Sequence, residues 1–187
     1  MGMQPPGSSR HRRSLMTALF GNLIDRNLPG RAHNYIFQCG LASLSLFLIL
    51  LVEDAVFRAA IVVAVASTAF TIFVFPNSIA STPRRVIGGH VVAVVSGAAM
   101  AAFLLVLSVD NTALGTRFVV DIAAALSVGL GALLMVITNT EHPPAAGTAF
   151  ALVIYPWSWS AIVFIISSAI ILSIVRIILR PMLINLL

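Results

Sequence analysis

The chain has 187 residues, of which 59% are hydrophobic and only 9% are charged. Soluble domains are about 25% charged, so this composition excludes an ordinary water-soluble domain and indicates a protein embedded in lipid. The net charge of +5 comes from eleven arginines against six acids, because the sequence contains no lysine. The single cysteine, Cys39, excludes an intrachain disulfide bond.

Residues 1–32 are predicted to form a basic cytoplasmic tail. Five arginines precede the first long apolar run, and the positive-inside rule then places the N-terminus in the cytoplasm: Arg10, Arg12, Arg13, Arg26 and Arg31. Residues 14–27 have apolar side chains at helical spacing, which predicts either an amphipathic helix in the membrane interface or a helix docked on a neighbouring subunit. No aromatic residues alternate with the arginines, so nucleic-acid binding is not predicted.

Four apolar runs are long enough to cross a hydrocarbon core about 30 Å thick. They cover approximately residues 35–52, 58–75, 86–109 and 118–137. The polar turns at 53–54 and 110–117 are predicted to lie outside the cell, and the connection at 76–85 is predicted to be cytoplasmic because it carries Arg84 and Arg85.

The last part of the chain is less regular. Residues 138–144 are polar and interrupted by prolines, the next apolar run (145–155) is about half the length of a span, and a final apolar run covers 159–178. Arg176 and Arg180 favour a cytoplasmic C-terminus, which requires an even number of crossings. We therefore expect the short run to cross as a tilted helix, with a re-entrant segment as the alternative. The predicted fold is an all-α, polytopic membrane domain over residues 33–187, with five to six transmembrane helices and a proline-broken short segment.

The third span carries small residues at four-residue intervals, at Gly89, Ala93, Gly97 and Ala101. Such a stripe lets another helix approach closely, either within one subunit or between two. Because so few helices seldom enclose a pathway, we expect a homo-oligomer, with this stripe as one candidate interface.

The third span begins with a candidate site. Thr82 is suited to the N-cap and Pro83 to the first helical position, and Arg84 and Arg85 follow in the first turn. Two arginines oppose the helix dipole, which predicts that an anion or an acid such as Glu141 offsets them; the alternative is contact with lipid phosphate. His90 either has a simple hydrogen-bond partner or lines a pathway.

A second candidate site ends the fourth span. It contains hydroxyl, amide, carboxylate and imidazole groups followed by two prolines: Thr138, Asn139, Thr140, Glu141, His142, Pro143 and Pro144. An ordinary connection is the alternative. The four histidines do not lie at spacings typical of metal sites, no cofactor motif is present, and no nucleophile–base pattern predicts an enzyme.

Residues 75–90 (FPNSIASTPRRVIGGH) and 141–148 (EHPPAAGT) resemble the HPP family of integral membrane proteins. The resemblance implies a compact helical membrane domain and, for members with a role in plastids and cyanobacteria, nitrite transport. The family motifs fall on Pro83, Arg84, Gly88, Gly89 and His90, and on His142, Pro143 and Pro144. The family tends to carry Gly-Ala-Ser in its second span, where this chain has Ala66-Ser67-Thr68.

These observations predict transport of a small inorganic anion such as nitrite across a bacterial inner membrane. Arg84, His90, His142 and the two helix starts would form the site, with Thr138, Asn139 and Thr140 donating hydrogen bonds. His90 or His142 could titrate near neutral pH, and Glu141 could exchange a proton, which would couple transport to protons. The alternative function is a membrane-embedded sensor or assembly partner, in which the polar break is a hinge and the tail contacts a cytoplasmic protein. The predicted partners are the anion and membrane lipid.

Overall fold

The computed structural model describes residues 28–52, 59–107, 114–155 and 157–186, and within them the regular structure is helical. We number the α helices in chain order: α1 (Leu28–Val52), α2 (Ala59–Val74), α3 (Pro83–Val106), α4 (Leu114–Thr138), α5 (Ala146–Ile154) and α6 (Trp159–Leu179). Short 3₁₀ turns precede α3 and α5 at Ile79–Ser81 and Pro143–Ala145, and a third, Arg180–Met182, follows α6.

The predicted all-α, polytopic fold is confirmed. Among the residues whose placement is described, three helical stretches are long and apolar enough to cross a membrane, at Pro83–Val106, Arg117–Thr138 and Trp159–Met182. Shorter apolar helices occupy Ala60–Val74 and Pro143–Ile154. The first helix begins at Leu28, several residues before the predicted start of its span. The predicted interfacial helix at 14–27 and the turn at 53–54 lie outside the described residues.

Helix α5 runs parallel to α3 and packs closely against it. A Cβ atom added to Gly97 would lie only 2.8 Å from the Ala149 carbonyl oxygen, and one added to Gly89 would lie 2.7 Å from the His142 Cβ. Ala93 is fully buried in a cluster with Ala149. The prediction of close packing is therefore confirmed. At Gly89, Ala93 and Gly97 the stripe is covered by residues 140–145 and α5 of the same chain, so these three positions do not form the expected interface between subunits.

Side-chain contacts place the end of α6 on the same side of the bundle as the start of α3. Arg176 Nη2 donates a 2.5 Å hydrogen bond to the Pro76 carbonyl oxygen. Gln38 Nε2, on the first half of α1, donates to the carbonyl oxygens of both Phe73 (2.6 Å) and Ile184 (2.7 Å). Because α6 returns to this side, α5 must carry the chain to the other side. This arrangement agrees with a short crossing segment and not with a re-entrant one.

Candidate functional site

The start of α3 has the predicted N-cap residue and first helical position but lacks the side-chain hydrogen bond that would cap the helix. Thr82 is the N-cap residue and Pro83 follows it, but the Thr82 hydroxyl donates to the Ile79 carbonyl oxygen at 2.8 Å and does not cap the helix. Arg85 forms an ion pair with Glu141. Arg84 is exposed and its Nη2 donates to the Thr138 carbonyl oxygen at 3.3 Å, at the negative end of α4. The expected neutralisation of the two arginines is thus achieved by Glu141 and by a helix end.

The connection after α4 turns the chain back into the bundle. Asn139 adopts a left-handed conformation with φ of 54°, which asparagine tolerates and which ends α4. Thr140 is buried against Gly88, where an added Cβ would lie 2.5 Å from the Thr140 Cγ2. Thr138 and Asn139 are exposed, and the Thr138 hydroxyl contacts that of Thr140 at 2.8 Å. Of the three predicted hydrogen-bond donors, only Thr140 is buried.

His142 is fully buried in this connection, outside the spanning helices. Its Nδ1 lies 2.9 Å from the Ala80 carbonyl oxygen, and its Nε2 lies 3.1 Å from the Thr68 hydroxyl oxygen. Burial disfavours the charged ring and lowers the pKa of His142 to about 4, although the hydrogen bond to Ala80 acts in the opposite direction. This shift opposes the expectation that His142 titrates near neutral pH.

His90 completes a chain of hydrogen-bonding groups that crosses the bundle. The ring is buried, with its Nε2 3.0 Å from the Thr68 hydroxyl oxygen and its Nδ1 2.9 Å from that of Thr148. The ring centroids of His90 and His142 are 5.4 Å apart. His90 and His142 therefore meet at the Thr68 hydroxyl group, and Thr148 extends the chain from the other nitrogen of His90. All four side chains are buried.

The positions of the protons in this chain follow from hydrogen-bond accounting. A carbonyl oxygen only accepts, so the Nδ1 of His142 must carry a proton, and the Nε2 of a neutral ring must then accept. Thr68 donates its single proton to that Nε2 and accepts from the Nε2–H of His90. The Nδ1 of His90 in turn accepts from Thr148. A neutral network thus assigns opposite tautomers to the two rings.

A cavity of about 310 Å³ adjoins this network. It is lined by Ala132, Met135, Val136, Glu141, His142, Pro143 and Ala146. Because His142 has no exposed surface, an ion in the cavity contacts the neighbouring residues before the ring. A second cavity, of about 270 Å³, is lined by Arg117, Val120, Asp121 and Ile154 near the other end of α5. No cluster of three or more potential metal ligands occurs in the part of the chain that the structure describes.

Reasoning from the sequence did not identify Thr68 and Thr148 as site residues. Both are hydroxyl groups in largely apolar runs, where a threonine commonly bonds to the carbonyl of the preceding turn, as Thr71 does to Ser67 at 2.8 Å. The Thr68 hydroxyl oxygen likewise lies 2.9 Å from the Ala64 carbonyl oxygen, within reach of such a bond. One sequence feature pointed to Thr68: the chain has Ala66-Ser67-Thr68 where the HPP family tends to carry Gly-Ala-Ser.

Comparison with known proteins identifies the family. The sequence profile described as "HPP, transmembrane region" matches residues 28–185. The chain belongs to the HPP family. This HPP protein is also 33% identical to a transmembrane protein of Dictyostelium discoideum over 84 residues, which is 45% of this chain and 26% of the relative. The chain therefore spans about a quarter of that relative's length, and no solved structure matches it.

The two HPP motifs are adjacent in space. Gly89 of the first motif leaves room for His142 of the second, because a Cβ at Gly89 would collide with the histidine Cβ. The prolines form the 3₁₀ turn that leads into α5, with the Ala145 N–H donating to the His142 carbonyl oxygen at 2.9 Å. The motifs of this HPP protein therefore position one buried polar network.

Proposed function

We propose that this protein transports a small inorganic anion, with nitrite as the leading substrate, across a bacterial inner membrane. The supporting observation is the buried network of Thr68, His90, His142 and Thr148 in an otherwise apolar bundle. Buried polar groups in membrane proteins are costly, and ionisable ones often mark ion pathways. The network begins less than two turns of α3 beyond Arg84 and Arg85.

The arginines at the start of α3 supply the anion-binding charge. A guanidinium group has five N–H donors, and the exposed Arg84 uses one for the Thr138 carbonyl, so donors remain for an anion. Arg85 and Glu141 are partly exposed, with 21% and 36% of their side-chain surfaces accessible. An incoming anion can therefore compete with Glu141 for Arg85 and then enter the adjoining cavity.

The close packing of α3 on α5 supports a carrier mechanism. Gly97 and Ala149 are in contact at backbone level, so these two helices must separate or slide before an ion can pass between them. Positive charge at Arg84, Arg85 and Arg176 supports a cytoplasmic position for this side of the bundle. The anion would then enter or leave the cytoplasm through the cavity beside Glu141.

Anion flux into liposomes tests the proposal. Purified protein would be reconstituted and assayed with nitrite, nitrate, formate and chloride under pH and voltage gradients. Arg84→Ala and His142→Ala should lose most of the nitrite flux, whereas Arg180→Ala, an exposed arginine on the same side, should retain it. Size-exclusion profiles and thermal unfolding would show whether each variant is folded.

Absence of flux for all four anions with folded wild-type protein would refute transport. The sensor or assembly-partner function would then be favoured, and it makes the opposite prediction. In that case Arg84→Ala and His142→Ala would retain the biological role, while deletion of residues 1–27 would abolish it.

A further inference from the structure

We propose that His142, Thr68 and His90 form a proton-binding site that takes up one proton with each transported anion. The Thr68 hydroxyl is the switch that keeps the ring nitrogens hydrogen-bonded in both charge states. This inference rests on the proposed anion transport and names the proton as the second substrate.

The switch depends on a third acceptor beside Thr68. The Ala64 carbonyl oxygen lies 2.9 Å from the Thr68 hydroxyl oxygen, at about the same distance as the two imidazole nitrogens. In the neutral network, Thr68 donates to the Nε2 of His142. When a proton is added to that Nε2, the hydroxyl turns to donate to Ala64 and accepts from both rings.

Proton uptake therefore breaks no hydrogen bond. The added proton forms an N–H bond at the Nε2 of His142, which becomes an imidazolium with the Ala80 carbonyl and Thr68 oxygens as its two acceptors. His90 keeps its Nε2–H tautomer and continues to accept from Thr148 at Nδ1. The Thr68 hydroxyl uses both its lone pairs and its proton, which is its full capacity.

The remaining cost of uptake is the burial of a positive charge, and this cost couples the proton to the anion. Helices α2 and α5 carry no ionisable side chain. The other packed elements contribute Arg84 and Arg85 on α3, Glu141 in the connection, Arg117 and Asp121 on α4, and Arg176 on α6. Glu141 is already paired with Arg85, and Asp121 lines the cavity near the other end of α5. Within the described residues neither acid is a free counter-ion beside the ring, so the imidazolium gains one when an anion arrives.

Linkage makes the coupling measurable. If one proton binds with each anion and the empty site is neutral, the apparent anion affinity should rise about tenfold for each unit fall in pH. Transport should also be electroneutral, because one positive and one negative charge move together. A membrane potential should therefore leave the flux unchanged, whereas a pH gradient should drive it.

Nitrite binding to purified protein at pH 6, 7 and 8 tests the switch. Wild type and Thr68→Ser should show the tenfold dependence, because both have the hydroxyl. Thr68→Val should lose most of it, because the charged Nε2–H of His142 has no acceptor. Thr148→Val is the matched control: it removes a hydroxyl from the same network but not from His142, so the pH dependence should remain. Equal pH dependence in all four proteins would overturn the inference.

Nitrogen-15 NMR of the histidine side chains in wild type gives an independent test. Addition of nitrite at pH 7 should protonate both nitrogens of His142 and leave His90 as the Nε2–H tautomer. Nitrite binding with both rings neutral would overturn proton uptake while leaving anion transport intact. No nitrite binding and no anion flux would instead refute the proposed function itself.

Discussion

Thr68→Val should destabilise the folded protein, because one hydroxyl group connects two helices and the connection before α5. The substitution preserves the shape of the side chain but removes the partner of two buried imidazole nitrogens, at 3.0 and 3.1 Å. A buried polar group left without a partner costs about 1–3 kcal/mol. Interhelical hydrogen bonds in membranes are worth less, on average about 0.6 kcal/mol, because the unfolded chain also finds partners. For two nitrogens, we expect a loss of about 2 kcal/mol.

The assay is unfolding of the purified protein in mixed micelles with increasing denaturing detergent. Thr68→Ser should lie close to wild type, because it retains the hydroxyl and loses a single methyl group. Thr71→Val is the control for the loss of a bond to the preceding turn, since the Thr71 hydroxyl bonds to Ser67. It should change stability by less than about 1 kcal/mol. If Thr68→Val is no less stable than Thr71→Val, the hydroxyl does not hold the two rings together.

Three further predictions use the same unfolding assay. Gly97→Ala should cost about 1–3 kcal/mol, since its Cβ would lie 2.8 Å from a carbonyl oxygen of α5, whereas Gly129→Ala, with open space around it, should not destabilise. A double-mutant cycle of Arg85→Gln and Glu141→Gln should give a coupling below about 1 kcal/mol, because the ion pair is partly exposed. The folded protein holds His142 neutral, so its contribution to the free energy of unfolding should be complete above pH 6.5 and fall by about 3 kcal/mol as the pH drops to 4. The substitution His142→Asn should remove this pH dependence.

The predicted and observed elements agree best where the apolar runs are long. The bounds of α2, α4 and α6 differ from the predicted ones by a few residues, because a hydrocarbon core demands helices of a defined length with internally satisfied backbone groups. The close packing of Gly97 was also predictable, since small residues at four-residue intervals line one face of a helix. Its partner was not predictable, because the stripe specifies closeness and not which helix approaches.

In the candidate site, too, the local chemistry was predictable from the sequence and the contacts between distant residues were not. Charge and helix-start chemistry in the sequence indicated Glu141 as one candidate to offset Arg84 and Arg85, beside an anion and lipid phosphate, and the structure pairs Glu141 with Arg85. The convergence of His90 and His142 on one hydroxyl depends on the left-handed turn at Asn139, which folds the 139–142 connection back between helices. No local pattern encodes that approach, because Thr68 lies 22 positions before His90 and 74 before His142.

The sequence by itself determined that this chain is a helical membrane domain with charge on one side and a polar break before its last spans. Those features follow from composition and spacing, which act locally through the hydrophobic effect and backbone hydrogen bonding. Only the tertiary structure decided that Thr68 and Thr148 complete the histidine pair and that the small-residue stripe faces α5. Those features are contacts between residues far apart in the sequence. Which residues meet depends on the steric packing of all the helices in the bundle.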